Sequence, residues 1–348
     1  MSISSLPVHE VSRGSESASG FAAAITTVCE LGLPEIGWIR VTGEDRVRWL
    51  NGMVTNSIQA LAVGEGCFNF LLNAQGRIQG TATAFAEAEA ILLETDRAQV
   101  APMMAMLDRF IIMDDVELAD ISEERAGLLV VGPGAAGTIE AMGLLAEGCG
   151  VGAAAGIRFA EVTWAGAAVR VQAMAGKVVA RFELWSSPDT IEKLAKALGT
   201  AGAVAGGVES VEMLRLIEGT PKFGVDIRER ELPQETGQMD ALHFSKGCYL
   251  GQEIVERIRS RGAVHRTFAA FALRGEVPAA GAVLSAGGKV VGELTSVGEV
   301  PAVPERVAGG VMALGYIRRE ALEMRQEIGY EGGVAEPLAL PVLRGTPA

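Results

Sequence analysis

The order of strands and helices that the sequence predicts constrains the fold more than any other feature, because a similar order occurs twice. Apolar and β-branched runs in residues 36–121 predict a strand, a helix, a two-stranded hairpin, a third strand, a second helix and a closing strand. Residues 127–198 predict a strand, a helix, three strands and a second helix. Hairpins interleaved with helices are typical of the α+β class, so we expect an α+β sandwich with antiparallel sheets.

The segment after residue 262 has a different character. Short predicted strands at 267–273, 289–297 and 310–317 are separated by glycine and proline turns. Several short strands with such turns predict a small β-barrel. We therefore expect an α+β fold that ends in a C-terminal barrel.

The opening of the chain has no clear element. Residues 1–20 are rich in serine, carry one arginine at Arg13 and lack an apolar central region, so we interpret them as a flexible lead-in and not as a signal peptide. Along the rest of the chain, no apolar run approaches the roughly 18 residues that span a bilayer. We expect no membrane partner.

The cysteines indicate a reducing compartment. Cys29, Cys67, Cys149 and Cys248 form neither a Cys-x-x-Cys pair nor a zinc spacing, and three histidines add few ligands for a metal site made within this chain. Widely spaced thiols fit the cytoplasm. We interpret the first three cysteines as core residues, because their neighbours are apolar or glycine.

The net charge of −13 argues against a nucleic-acid partner, since binding to phosphates needs a basic face. The window from Lys246 to Arg266 differs: five basic residues against two acidic ones give it a charge of +3. This patch predicts a small anionic ligand. An ordinary helix with exposed arginines explains it equally well.

Residues 246–253 concentrate the chemically active side chains in the sequence Lys-Gly-Cys-Tyr-Leu-Gly-Gln-Glu. Apolar residues then recur at Ile254, Val255 and Ile258, which predicts a short helix that begins near residue 250 or 251. Cys248 would lie beside the helix N-terminus, where the dipole and Lys246 favour a thiolate. We predict a reactive or ligand-sharing thiol. The alternative is a small buried hydrophobic residue, as most free cysteines are.

This eight-residue motif resembles the signature of the YgfZ/Iba57 family, folate-binding proteins related to the T-protein of the glycine cleavage system. Further blocks of the chain resemble the family in the expected order: 41–45, 50–56, 73–78, 214–221, 223–227 and 232–235. The resemblance covers about residues 36–270 well and the remainder loosely.

The resemblance implies a ring of two α+β, ferredoxin-like domains and a C-terminal barrel around a central opening that holds a tetrahydrofolate-type cofactor. The expected limits are 1–20 for the lead-in, 21–125 for the first domain, 126–206 for the second, 207–262 for a segment that completes the first, and 263–348 for the barrel.

The resemblance also implies site residues. It assigns the chemistry to Cys248 and Lys246. The expected folate-binding residues are Asn56, Arg77, Gln234, Tyr249, Gln252, Glu253, Arg257 and Arg259. Arginines can bind the glutamyl tail bidentately, although helical geometry prevents Arg257, Arg259 and Arg261 from all facing one ligand. The alternative role for Gln252 and Glu253 is support of the helix N-terminus.

One departure decides between two functions. The related aminomethyltransferases carry Gly-Gly-Ile-x-Asp-Asp in the second N-terminal hairpin, where residues 76–81 read Gly-Arg-Ile-Gln-Gly-Thr. No carboxylate is present in this segment, and a neutral glutamine cannot transfer a proton, which makes a folate-dependent aminomethyl or methyl transferase the second choice. A further departure is Ile217 in place of an acid, with Glu218 next, which leaves Glu218 in doubt as a ligand contact.

The resemblance therefore implies a folate-binding factor in iron–sulfur cluster assembly, maintenance or repair. One thiolate cannot hold a cluster that usually needs four ligands, so Cys248 would share a cluster transiently with a carrier or client protein, or attack a damaged intermediate. A thiol redox enzyme is a third reading, but no resolving cysteine lies near Cys248 in the sequence.

Overall fold

The computed structural model describes residues 9–145, 156–262 and 264–343. The helices are α1 His9–Thr26, α2 Arg46–Met53, α3 Arg97–Asp108, α4 Ala135–Ala141, α5 Pro188–Thr200, α6 Val208–Glu218, α7 Gln252–Arg261 and α8 Arg319–Glu323. The strands of the large sheet are β1 Cys29–Gly32, β2 Ile36–Thr42, β3 Glu65–Leu72, β4 Ile78–Ala86, β5 Ile91–Asp96, β6 Glu117–Asp120, β7 Ala126–Val131, β8 Ile157–Trp164, β9 Ala167–Met174, β10 Arg181–Ser186 and β11 Val204–Ala205. The barrel strands are β12 Arg266–Gly275, β13 Val283–Ala286, β14 Lys289–Val300, β15 Gly310–Arg318, β16 Gly329–Tyr330 and β17 Gly333–Leu338.

The large sheet consists of two halves, one of six strands and one of five, whose orders correspond except that β1 is inserted between β11 and β7. The strands run β11-β1-β7-β10-β9-β8 in one half and β3-β4-β5-β2-β6 in the other, and the antiparallel pair β3–β8 joins the halves. Each half contains a strand, a helix, three antiparallel strands and a second helix in chain order, as the sequence predicts. The repeated order therefore gives a repeated arrangement in space.

Two expectations about the N-terminus are wrong. Residues 9–20 belong to α1 and not to a flexible lead-in, and Ser17, Phe21 and Ile25 are buried at helical spacing. The small residues, which look like low-complexity sequence, are needed for close packing: a Cβ atom on Gly20 would lie 2.7 Å from the Cα atom of Gly206. The chain then forms β1, which pairs with β7 and β11, so residues 29–32 lie in the second half and not in the first domain.

The two halves face each other across buried aromatic rings and a buried acid pair. The rings of Trp38 and Trp185 meet edge to face at 5.0 Å. Beside them, Nε2 of Gln172 donates to Oε2 of Glu94 at 2.8 Å and to Oε2 of Glu183 at 3.3 Å. Burial raises the pKa of both carboxyl groups, and the charge of Glu183 raises that of Glu94 further. The pair therefore holds a proton at pH values where exposed carboxyls are ionised.

We expect this acid pair to make stability fall as the pH rises. The folded state binds a proton that the unfolded chain has released above about pH 4.3, so the free energy of unfolding decreases by about 1.4 kcal/mol per pH unit until the raised pKa is passed. Glu94→Gln should remove most of this slope in urea unfolding between mildly acidic and mildly alkaline pH. The exposed Glu276→Gln is the matched control and should keep the slope of the wild type. Equal slopes in all three proteins would show that the pair holds no extra proton.

The predicted C-terminal barrel is confirmed. Its strands close in the order β12-β15-β14-β13-β16-β17. Buried polar contacts join it to the rest of the chain: Arg215 on α6 bonds to Asp226 at 2.6 Å and to Ser296 on β14 at 2.7 Å. No helix within the three described ranges is long and apolar enough to cross a membrane.

Candidate functional site

The motif at 246–253 ends on a helix start that rests on the first hairpin. Helix α7 begins at Gln252, after Gly251 with φ of 82°, which confirms the predicted start. A Cβ atom on Gly251 would lie 2.6 Å from the carbonyl oxygen of Asn73, and one on Gly76 would lie 2.8 Å from Cβ of Ile254. The hairpin turn and the helix therefore touch through two glycines, where a larger residue would force them apart.

Hydrogen bonds join the end of α2 and the residues that follow it to the chain before and within the motif. The amide of Leu250 donates to the carbonyl of Gly52 at 3.0 Å, and the hydroxyl of Thr55 donates to the carbonyl of Ala241 at 2.6 Å. Three blocks that are far apart in sequence, at 50–56, 73–78 and 246–253, thus form one site.

Lys246 is used for positioning. Its Nζ donates to the carbonyl of Val54 at 2.8 Å and to that of Asn56, and it lies 5.1 Å from the centre of the Tyr249 ring. Burial lowers the pKa of Lys246 to about 8. The ammonium group fastens the motif to the end of α2, while its predicted action on the thiol of Cys248 stays a prediction.

Cys248 is exposed, between the anchored residues Lys246 and Tyr249. The alternative that it is a small buried hydrophobic residue is therefore wrong. Cys29 is buried and Cys67 is half-buried, and burial raises their pKa values to about 12 and about 11. Cys149 lies outside the described residues. Among the described cysteines, Cys248 is the one that a partner protein can reach without unfolding.

Tyr249 and Gln252 support the loop from within. Tyr249 is buried in a cluster with Phe70, Ile78 and Val255. Its backbone N–H donates to Oε1 of Gln252 at 3.3 Å. This contact is the helix-start role that we gave as the alternative for Gln252, and folate contacts by either residue stay predictions.

Glu253 and the arginines of α7 lie at the surface. Arg257 bonds to Glu253 at 2.6 Å, and the side chain of Arg257 is 51% exposed. Arg259 approaches Glu256 at 3.5 Å and stacks 4.4 Å from the ring of Phe244. Both arginines already have acidic partners, as on a solvated face, and both remain accessible to a ligand tail.

We expect Arg257→Ala to weaken the binding of polyglutamyl tetrahydrofolate by roughly two- to fivefold, which is the effect of losing one exposed charge pair. Monoglutamyl tetrahydrofolate should lose less, because it has fewer carboxylates to bind. Titration of both ligands checks this, with the exposed Arg274→Ala on the barrel as a charge-matched control. Unchanged affinity for both ligands would assign Arg257 to the solvated face alone.

Three other predicted folate-binding residues differ in whether their side chains have hydrogen-bonding atoms without a partner. Nδ2 of Asn56 donates to the carbonyls of Phe68 and Asp240, at 3.2 and 2.9 Å, and its Oδ1 accepts from the amide of Ser57. Arg77 donates to the carbonyl of Arg230. Gln234 donates to the carbonyl of Val255 at 3.0 Å, and its Oε1 is buried without a hydrogen-bond partner in the described structure.

The sequence left one charged cluster unrecognised. Glu218 is buried at the end of α6, and its Oε2 accepts from Arg181 at 3.2 Å. Its Oε1 is buried and bonds to no group in the part of the chain that the structure describes. Lys177 is exposed, and partial desolvation by the surrounding protein lowers its pKa, against the opposing charges of Glu218 and Asp240. Since the carbonyl of Asp240 also bonds to Asn56, this cluster lies next to the site that the motif builds.

Comparison with known proteins agrees with this fold. The model of the GCVT N-terminal domain family matches residues 21–246. The glycine cleavage aminomethyltransferase T of Bartonella henselae has a TM-score of 0.80 at 18% identity, over 98% of each chain. This likeness confirms the predicted α+β fold with a C-terminal barrel.

Two relatives carry names that describe different functions. A chloroplastic protein of Arabidopsis thaliana that is named a transferase is 27% identical over 292 residues, and the match spans 83% of this chain but 65% of that protein. The tRNA-modifying protein YgfZ of Yersinia enterocolitica is 27% identical over 243 residues, 68% of each protein. Aminomethyltransferases from several bacteria match as well. Since the family model covers well over half of the sequence, this chain belongs to the family of proteins with a GCVT N-terminal domain.

Proposed function

We propose that this protein belongs to the YgfZ/Iba57 branch of its family, binds a tetrahydrofolate-type cofactor and serves iron–sulfur cluster assembly, maintenance or repair. The observation that carries the proposal is the exposed thiol of Cys248 on a loop that Lys246 and Tyr249 fix from both sides. Such a thiol can supply one ligand to a cluster whose other ligands belong to a carrier or client protein. In the described ranges, no group of three or more histidines, cysteines or carboxylates could hold a metal ion, so the cluster would be a shared cargo.

The cluster around Glu218 fits the proposed cofactor. A reduced pterin presents N–H donors on its amino-pyrimidine edge, and the unpartnered Oε1 of Glu218 is an acceptor without a donor. A buried carboxylate oxygen without a hydrogen bond destabilises the folded protein, so a ligand donor that bonds to it would gain binding free energy. Arg181 holds the other oxygen in place. Bound tetrahydrofolate would supply a one-carbon carrier, while these side chains orient its ring.

A titration with monoglutamyl tetrahydrofolate tests whether Glu218 binds the cofactor. Glu218→Gln should weaken binding by about tenfold or more, because it replaces a hydrogen bond to a charged acceptor. Glu192→Gln, on the exposed face of α5, is the control and should bind as the wild type does. Binding by all three with equal affinity would move the cofactor away from α6.

A folate-dependent transferase is the second candidate, and the names of the relatives favour it. Against it, Gly80 and Thr81 stand where the aminomethyltransferase motif has its two acids. Neither side chain is a carboxylate that can exchange a proton with the cofactor or substrate. Turnover of an aminomethyl or methyl donor by the wild-type protein with tetrahydrofolate would reverse the order of the two candidates.

The net charge of the chain disfavours one class of partner. The YgfZ relative is named for tRNA modification, but a net charge of −13 disfavours direct contact with RNA. We propose that the protein meets iron–sulfur carrier or client proteins transiently through the Cys248 loop. Its cytoplasmic location stays a prediction.

A further inference from the structure

A cavity lies away from the Cys248 loop, at the start of β9 and the end of β10. Arg181 and Lys177 lie at the other end of this strand pair. The cavity has a volume of about 320 Å³. Its lining includes Arg125, Arg170 and Trp185, together with Ser187 at the start of α5. It uses none of the residues assigned above to the thiol or to the cofactor.

Arg170 is a buried cation with one unused donor. Its side chain is 4% exposed, and its guanidinium stacks 3.5 Å from the centre of the Phe159 ring. Nη1 donates to Glu87 at 2.5 Å and Nε donates to Gln172 at 2.8 Å. Nη2 is buried and has no hydrogen-bond partner within the described chain. Because Nη2 has almost no solvent-accessible surface, Arg170 contributes a fixed positive charge beside the cavity and not a hydrogen bond to a ligand.

Arg125 is the second cation in the cavity. It is half-buried, and its guanidinium lies 5.1 Å from the centre of the Trp38 ring. Among the residues that the structure describes, no acceptor forms a hydrogen bond or a close ion pair with it. Its planar fork is the group that binds a carboxylate with two parallel hydrogen bonds.

The start of α5 adds to the positive potential. Ser187 precedes this 13-residue helix, and its hydroxyl faces that of Thr190 at 2.9 Å without capping a backbone N–H. The N-terminus of a helix favours a negative charge nearby. Arg125, the buried charge of Arg170 and a helix start therefore lie at one cavity, and Asp189 in the first turn of α5 reduces the positive potential there.

The acidic residues of the lining limit the charge of the ligand. Glu124 and Glu161 also border the cavity, and both are exposed, with Glu124 paired to Arg40 at 3.2 Å. They would repel a dianion such as phosphate more than a single carboxylate. The aromatic side of the cavity, at Trp185, suits a ligand with an apolar body.

We infer that this cavity binds a small molecule with one carboxylate and an apolar body, held by Arg125 at the N-terminus of α5. The carboxylate accepts from the guanidinium of Arg125, near the buried charge of Arg170, and the apolar body lies against Trp185. This site is independent of the Cys248 loop and of the proposed cofactor.

Calorimetric titration with benzoate tests the inference, with benzamide as a neutral probe of the same shape. The wild-type protein should bind benzoate and bind benzamide at least about tenfold more weakly, since the amide lacks the charge. Arg125→Gln should weaken the binding of benzoate by about tenfold. Arg125→Lys should weaken it less, because lysine keeps the positive charge and loses only the two-pronged guanidinium geometry. Arg274→Gln removes a charge on the barrel and should leave benzoate affinity unchanged.

Three results would overturn the inference: no binding of benzoate, equal affinity for benzoate and benzamide, or equal affinity in wild type and Arg125→Gln. Circular dichroism and tetrahydrofolate titration of each variant separate a local effect from misfolding. If Arg125→Gln misfolds, the benzoate–benzamide comparison on the wild type still decides the outcome.

Discussion

Under the proposed function, replacing Cys248 by serine is expected to abolish support of an iron–sulfur enzyme in cells, while tetrahydrofolate affinity stays within about twofold of the wild type. The serine hydroxyl has nearly the shape of the thiol but is not a soft ligand for iron, so the variant should fold and fail in chemistry. The exposure of Cys248 supports this separation, because an exposed side chain contributes little to the core. The measurement is client activity in cells that carry each form as their single copy.

The control for this variant is Cys67→Ser. Cys67 is half-buried on β3 and accepts a hydrogen bond from Nδ2 of Asn69 at 3.3 Å. Burial keeps its thiol protonated at neutral pH. We expect Cys67→Ser to retain client activity. Equal loss in both variants, or loss of soluble protein with Cys248→Ser, would mean that the effect is structural.

Arg215→Met is expected to lower the free energy of unfolding by about 3–5 kcal/mol, because it leaves a buried charge without its partner. Asp226 is fully buried and receives Arg215 Nη1 at 2.6 Å. The hydroxyl of Ser296 also bonds to Asp226, at 2.8 Å, and to Arg215, so the pair fastens the barrel to α6. Urea unfolding of the purified variant measures the loss.

A double variant shows whether the lost charge balance is the cause. Arg215→Met with Asp226→Asn removes both charges and should recover part of the loss, as a coupling energy between the two sites. Arg274→Met breaks an exposed pair with Glu336 and should cost less than about 1 kcal/mol. If Arg215→Met costs no more than Arg274→Met, the network does not hold the barrel in place.

Local signals made much of the fold predictable. Asn73 and Gly76 fix a turn between two apolar runs, and the spacing of Ile254, Val255 and Ile258 predicts a helix from residue 251 onward. Both features depend on neighbours in sequence. They came out within one or two residues of the observed bounds.

Features that depend on distant contacts were not predictable. The short strand β1 has no strong pattern of its own, and it forms because β7 and β11 offer backbone partners on both sides. Helix α1 has a glycine at Gly20, which packs against Gly206, and the serine- and glycine-rich sequence around it resembles a flexible segment. In both cases the tertiary partner overrides local propensity.

The candidate site divides in the same way. The motif located Cys248 and Lys246, since eight consecutive residues carry the pattern. The carbonyl partners of Lys246, at Val54 and Asn56, and the open carboxylate oxygen of Glu218 needed the folded chain. A carboxylate that follows an apolar run on α6 looks like any helix end until its burial is known.

We propose that a folate-binding scaffold presents a reactive thiol at Cys248. Folate binding is measured by calorimetric titration of the purified wild type and Cys248→Ser with tetrahydrofolate, under exclusion of oxygen. Both forms should bind with the same affinity, because the thiol acts apart from the cofactor. If neither form binds tetrahydrofolate, the family fold has been kept without its cofactor and the proposed function is contradicted.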